Sequence, residues 1–285
     1  MAHTRTALVT GGSQGIGYHV CRRLAGQGFH VVVHAPTPPE AHAAVDRLIR
    51  DGADPGLLRA AAADYRRLGD VTSLAHHLDD DLRRLDLLIN NAGAVAPAAR
   101  TVDGFDATLQ INYLAPYVLT RLLGRALNAA DGRIVTVGSA LHRDGHLDPD
   151  YPAGAANTHP VQAHANVQLA VVLFARALAL TDERRVTSVA VHPGCIDTGT
   201  FTAVYGPGGL PVTDGAAHVL HAADPAAEAV NGGYYEGLLR AEPAPLAHDD
   251  TAARHLWRAT ARLLGWDYTA TQIPAQLRTA VSAAA

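Results

Sequence analysis

The residues best placed to do chemistry begin at Thr10-Gly-Gly-Ser-Gln-Gly-Ile-Gly17, a glycine-rich turn between a short apolar run and a helical stretch. Gly11, Ser13, Gln14, Gly15, Ile16 and Gly17 would let backbone N–H groups approach a pyrophosphate at the positive end of the helix. Alone, such a turn is also an ordinary tight connection. It is accompanied by Asp64 and Tyr65 after the third apolar run and by Asn90-Asn91-Ala92-Gly93 after the fourth. Asn112 lies in a long helical pattern, Ser139 follows the fifth run, and Pro193-Gly194-Cys195-Ile196-Asp197-Thr198 follows the sixth. No lysine occurs, which excludes Schiff-base chemistry and a phosphate-loop lysine. His142, His146, His159 and His164 lie near Asp148 and Asp150, but their spacing matches no standard zinc pattern, so no metal is expected. Cys195 reads as a small packed thiol in preference to a nucleophile.

These groups need a scaffold that brings them to one edge. Apolar runs at 7–10, 30–34, 57–62, 87–89, 134–137 and 186–191 alternate with helical patterns, the clearest at 15–27, 39–51, 103–128 and 161–180. That is the βαβ rhythm of an α/β fold with a doubly wound parallel sheet. Such a sheet binds ligands at the C-terminal ends of its strands, beside which most of the named groups fall. Pro116 predicts a kink or break within the third helix. The Gly/Pro/Asp-rich stretches 143–160 and 199–213 follow strands, are long for plain connections, and are expected to wall a substrate pocket.

With 285 residues, 48% hydrophobic and 18% charged, the chain can build one large core without disulfides or metal, and 1–285 reads as a single domain. The net charge of −4 is dispersed, so neither nucleic acid nor a membrane surface is an expected partner. No apolar run reaches the roughly 18 residues of a membrane span, and residues 1–10 run straight into the turn without a cleavable signal. With Cys21 and Cys195 as its only cysteines, the chain is expected in the cytoplasm.

The motifs, in order and spacing, resemble the short-chain dehydrogenase/reductase family over essentially the whole length. The closer likeness is to its retinol-dehydrogenase-like branch, carried by Leu109-Gln-Ile-Asn-Tyr-Leu-Ala-Pro-Tyr-Val-Leu-Thr120, by Val189-Ala-Val-His-Pro-Gly194 and by the late helical stretch Asp250-Thr-Ala-Ala-Arg-His-Leu-Trp257. The resemblance implies a Rossmann-type domain holding NAD(P) with Gly11, Ser13, Gln14, Gly15, Ile16, Gly17, Asp64, Tyr65, Asn91, Ala92, Gly93, Pro193, Gly194, Ile196 and Thr198. It also implies Ser139 on the substrate oxygen, Asn112 on a proton-relay water, and a homodimer or homotetramer formed through the two long helices.

The chain departs from the family at its hallmark. Alignment on Leu169-Ala-Val-Val-Leu-Phe174 puts His164 where the family has its proton-transferring tyrosine and Gln168 where it has a lysine four residues on. The lysine's charge lowers the tyrosine's pKa, whereas an ordinary imidazole already titrates near 6.5. A cation beside it would weaken it as an acid, so the two replacements make sense together. Tyr113, Tyr117 and Tyr151 are weighed as displaced phenols, with Tyr151 foremost. After the second apolar run the chain offers His34-Ala-Pro-Thr-Pro-Pro39, neither the acid of NAD enzymes nor the arginine of NADP enzymes. His34 or Thr37 could meet a 2′-phosphate, so NADP is expected over NAD. The reading is an oxidoreductase acting on a hydroxyl or carbonyl of a bulky small molecule. The alternatives are a non-redox cyclase, dehydratase or isomerase that need not use the cofactor, and a non-catalytic binding or regulatory homologue.

Overall fold

The computed structural model describes residues 4–96, 99–156, 159–181 and 185–266; the part of the single-domain expectation covering 267–285 lies outside them. The strands are β1 (Thr6–Val9), β2 (His30–Ala35), β3 (Leu58–Ala62), β4 (Leu87–Asn90), β5 (Arg133–Val137), β6 (Thr187–His192), β7 (Tyr234–Glu236) and β8 (Leu239–Arg240). The helices are α1 (Gly15–Gly26), α2 (Pro38–Arg50), α3 (Leu68–Asp81), α4 (Ala107–Leu109), α5 (Ala115–Leu122), α6 (Gly124–Ala130), α7 (Pro160–Ala179), α8 (Gly199–Tyr205), α9 (Val212–Ala223) and α10 (Asp250–Leu263). The sheet runs β3-β2-β1-β4-β5-β6-β7-β8, and only the β7–β8 pair is antiparallel. The connections therefore diverge between β1 and β4, where a doubly wound sheet leaves a crevice for ligand.

Both faces of this sheet are covered, which is why its strands read as unbroken apolar runs. Ala7, Val9, Val31, Val33, Leu87, Ile89, Val135 and Val189 pack on one side with α1 and α9. Leu8, Val32, Leu88, Ile134 and Ala190 pack on the other with α3, α5, α7 and α10. The alternation follows the two-residue period of a strand.

The expected helix 103–128 is divided. Asp103 lies before it, its carboxylate accepting from Leu68 N–H (2.8 Å) and from Gln110 Nε2 (2.7 Å). Between α4 and α5 the chain forms a π-helical turn, Gln110–Leu114. A proline at 116 gives no N–H to the ladder and its ring crowds the turn before it, and the wider turn relieves both. A second break falls at Leu123, between α5 and α6.

Helix α7 is the one described helix long and apolar enough for a membrane span, yet most of it is buried in the core. Its outer side and that of α5 are closed by α10. The Tyr113 and Thr260 hydroxyls meet at 2.6 Å, Tyr117 Oη donates to Trp257 O at 3.1 Å, and the Trp257 ring stacks on Phe174 at 6.2 Å with an 11° interplanar angle. Helix α10 is therefore a structural keystone. Replacing its fully buried Leu256 with alanine is expected to lower stability by about 2–5 kcal/mol, read as a fall in denaturant midpoint with the slope preserved.

Candidate active site

The turn between β1 and α1 is set by a bracket across the crevice. The Thr10 hydroxyl accepts from the N–H groups of Asn91 (2.9 Å) and Ala92 (3.0 Å) and donates to Ile89 O. Asn91 Nδ2 returns to Thr10 O at 2.8 Å and to Gly11 O at 3.3 Å. Gly17 fits only as glycine, because a Cβ there would lie 2.2 Å from Gly11 O. It does not line the cavity and acts by letting the turn close. Gly15, at φ +53°, has only Thr198 Cγ2 within 4 Å of where a Cβ would lie, at 3.9 Å, which leaves room for a phosphate to approach.

A cavity of about 1030 Å³ runs along the C-terminal ends of the strands. Gly11, Ser13, Gln14, Gly15, Ile16, Asp64, Tyr65, Asn91, Ala92, Gly93, Pro193, Gly194, Ile196 and Thr198 all line it, and so do Asn112, Ser139, His164 and Gln168. Residues far apart in sequence thus converge as expected, Gly17 alone standing behind the wall.

At one end His34 is a brace. Its Nδ1 accepts from Gly11 N–H at 3.2 Å, which leaves Nε2–H to donate to Ala63 O at 3.1 Å. Burial pulls its pKa down to about 4, so the ring is neutral at pH 7. Both nitrogens are used, and the expected contact of His34 with a 2′-phosphate is ruled out. Thr37 is also committed, since its hydroxyl accepts from Glu40 N–H and donates to Glu40 Oε2 (2.8 Å) in the capping box that starts α2. No sequence pattern marks His34 as a brace beyond a polar ring inside an apolar strand.

At the other end, Ser139 Oγ accepts from Leu141 N–H at 3.2 Å, which leaves the serine proton available. His142 holds this segment, donating from Nδ1 to Ser139 O (2.9 Å) and accepting at Nε2 from Ala244 N–H (3.0 Å). His164 is buried on α7, and burial lowers its pKa to about 4. Its Nδ1 and the Oε1 of buried Gln168 have no hydrogen-bond partner among the described residues. Orphaned buried polar atoms beside a cavity are groups to which an ordered water or a ligand can supply the partner. Asn112 is fully used at its side chain: Oδ1 accepts from Ala94 N–H (3.1 Å), and Nδ2 donates to Ala94 O and Thr108 O (both 2.7 Å).

The three candidate phenols are absent from the cavity lining. Tyr113 and Tyr117 are buried beneath α10, and Tyr151 is 58% exposed outside it. The described part of 143–160 does not wall the cavity either. Asn166 pins this segment against α7, Oδ1 accepting from His146 N–H and Nδ2 donating to Ala155 O, both at 2.8 Å. Segment 199–213 does supply wall, through Thr200, Phe201, Val204, Tyr205 and Val212. No group of three or more described His, Cys, Asp or Glu residues could hold a metal ion.

Fold and cavity together define a dinucleotide-binding α/β protein with the glycine turn, the strand-end asparagine and the Pro-Gly segment around one crevice. The sequence profile of the family described as short chain dehydrogenase matches residues 5–205, and the chain belongs to that family, in its retinol-dehydrogenase-like branch. Retinol dehydrogenase 13 of Homo sapiens is 32% identical over 280-odd aligned positions, covering 92% of this chain and 85% of that one. Polyprenol dehydrogenase of Mus musculus is 36% identical, covering 92% and 84%. Among solved structures, a blue fluorescent protein from a metagenomic library in complex with NADPH superposes with a TM-score of 0.63 at 29% identity, covering 82% of this chain and 97% of that one. These relatives support an oxidoreductase with a nicotinamide cofactor.

The two buried imidazoles make stability depend on pH. Unfolded, His34 and His164 take up protons near their ordinary 6.5; folded, they do so only near 4. Stability is therefore full above about pH 6.5 and is lost as the pH falls towards 4, by on the order of 3 kcal/mol for each ring. In denaturant melts across this range, His164→Asn is expected to show a shallower acid slope than the unmodified protein.

Proposed function

We propose that this chain is an NADP(H)-dependent oxidoreductase of a hydroxyl or carbonyl group on a bulky, uncharged small molecule, with His164 as its proton-transfer group. The observation that carries the reading is that Ser139, His164 and Gln168 line the same cavity as the glycine turn. Away from that turn the cavity is bounded by Ala94, Ile111, Leu141, Phe201, Val204 and Tyr205, an apolar wall suited to a bulky hydrocarbon frame. The lining arginines, Arg47 and Arg66, belong to the opposite end, so a carboxylate substrate would find no arginine here.

The residues fit a dinucleotide in three ways: the glycine turn can approach phosphate, Gln168 Oε1 lacks a donor that a ribose hydroxyl would supply, and no acid follows β2 to repel a 2′-phosphate. Held by the glycine turn and Gln168, a nicotinamide cofactor would supply hydride-transfer chemistry here. Ser139 directs its free proton at the substrate oxygen. His164, neutral at pH 7, accepts the hydroxyl proton when an alcohol is oxidised; imidazolium for the reverse reaction becomes plentiful only towards pH 4. The Asn112 side chain is already bonded, so relay water would be held at its main-chain carbonyl. The α-helical N–H for that carbonyl would come from position 116, which is proline.

A second reading, acid/base chemistry without net redox, draws on the same neutral imidazole and on the missing lysine. Cofactor titration followed by mixing with a panel of apolar alcohols, aldehydes and ketones separates the two. His164→Ala is expected to lower hydride transfer about 100-fold or more while leaving cofactor affinity within a few fold. Full turnover in that variant would overturn the role of His164; substrate conversion without any change in nicotinamide absorbance would favour the non-redox reading. Alcohol oxidation is expected to hold from neutral pH down to about 5 and to fall as His164 protonates, and carbonyl reduction to rise over the same descent.

A further inference from the structure

The cavity's adenosine end contains a cation that no motif announces. With His34 and Thr37 both committed, the usual place for reading a 2′-phosphate, the end of β2, has nothing to offer. Arg47, near the far end of α2, nevertheless lines the cavity beside Ser13, His34 and Pro36. Its guanidinium lies over the Tyr18 ring, 3.4 Å from the centroid, and its Nη2 is 3.4 Å from Ser13 O. Tyr18 is itself fixed, its hydroxyl donating to Asp51 Oδ2 at 2.8 Å. Stacking thus stretches a long side chain across to the glycine turn and fixes its plane, while Ser13 O and the Tyr18 hydroxyl oxygen draw on only part of its five N–H groups. Arg47 makes no ion pair among the described residues, so the remaining N–H fork has no carboxylate to satisfy it.

We propose that Arg47 is the residue that selects the cofactor: it binds the 2′-phosphate of NADP(H) from helix α2, replacing the β2-end arginine that the chain lacks. The proposal rests on the dinucleotide reading given above and names the group that makes it NADP-selective. A planar fork held against the Ser13 carbonyl suits a phosphate dianion, and a ribose hydroxyl would gain much less from it. Two arms of one side chain's environment, Tyr18 beneath and Ser13 beside it, act as positioning contacts, so removing the Tyr18 ring should loosen the same selectivity without removing the charge.

The test is calorimetric titration of the full chain with NADPH, NADH and 2′,5′-ADP, for the unmodified protein, Arg47→Gln, Arg47→Lys and Arg66→Gln, each checked for folding by thermal melt. Arg47→Gln is expected to weaken NADPH and 2′,5′-ADP roughly ten- to hundredfold and to leave NADH within twofold. Arg47→Lys keeps the charge without the fork and should recover part of the loss. Arg66→Gln should not discriminate between NADPH and NADH. Equal weakening of NADPH and NADH in Arg47→Gln, an unchanged NADPH affinity, or equal affinity of the unmodified protein for both cofactors would overturn the assignment while leaving the dinucleotide reading standing. An unmodified protein that binds neither cofactor would overturn both.

Discussion

The site depends on a small hydrogen-bonded bracket at the point where the sheet's connections diverge. Thr10 at the end of β1 takes two N–H groups from the segment after β4, and Asn91 gives its amide to the carbonyls of Thr10 and Gly11. These bonds hold the mouths of two adjacent parallel strands in register while the chain leaves them in opposite directions. Within that frame Gly17 can close on Gly11 O, α1 can aim its N-terminus into the crevice, and the Gly11 N–H can be held by His34. Buried polar groups in such a place must be satisfied almost completely, because each orphan would cost about 1–3 kcal/mol. Several buried side-chain atoms are nonetheless left without a partner among the described residues, Asn90 Oδ1 among them, and three of these, Tyr65 Oη, His164 Nδ1 and Gln168 Oε1, belong to residues that line the cavity.

The histidines illustrate how environment assigns roles to one residue type. His34 and His142 use both ring nitrogens and serve as braces, one for the glycine turn and one for the Ser139 segment. His164, buried to a similar extent, has none of these partners. Desolvation moves His34 and His164 in the same direction, yet only His164 retains chemistry to offer a ligand. The contrast supports the reading of the altered pair His164 and Gln168 as a working arrangement.

A related economy governs the long helices. Helix α7 is apolar nearly all round because the sheet lies on one side and α10 on another. Its polar residues Asn166 and Gln162 are spent on pinning the preceding segment, with Gln162 Nε2 donating to Asp144 O and to Asn166 Oδ1. That pinning draws 143–156 away from the cavity and leaves Leu141 and the α8 segment to shape the substrate end.

The sequence by itself determined the parallel α/β architecture, the glycine turn, and the identities of His164 and Gln168. Strand and helix periodicity, glycine spacing and the absence of lysine are local properties that need no fold to be read. It also led to residues that, Gly17 apart, line one cavity, because strand-end motifs in a doubly wound sheet have one edge to share. Only the tertiary structure decided what the polar side chains do. Whether His34 is a ligand or a brace, whether Asn112 still has an amide to offer, whether 143–160 walls a pocket and whether Arg47 reaches the turn all depend on partners 11 to 34 positions away or more. Such hydrogen bonds are made by groups whose sequence signature is no different from that of a solvated surface, so only the packing that removes water could assign them.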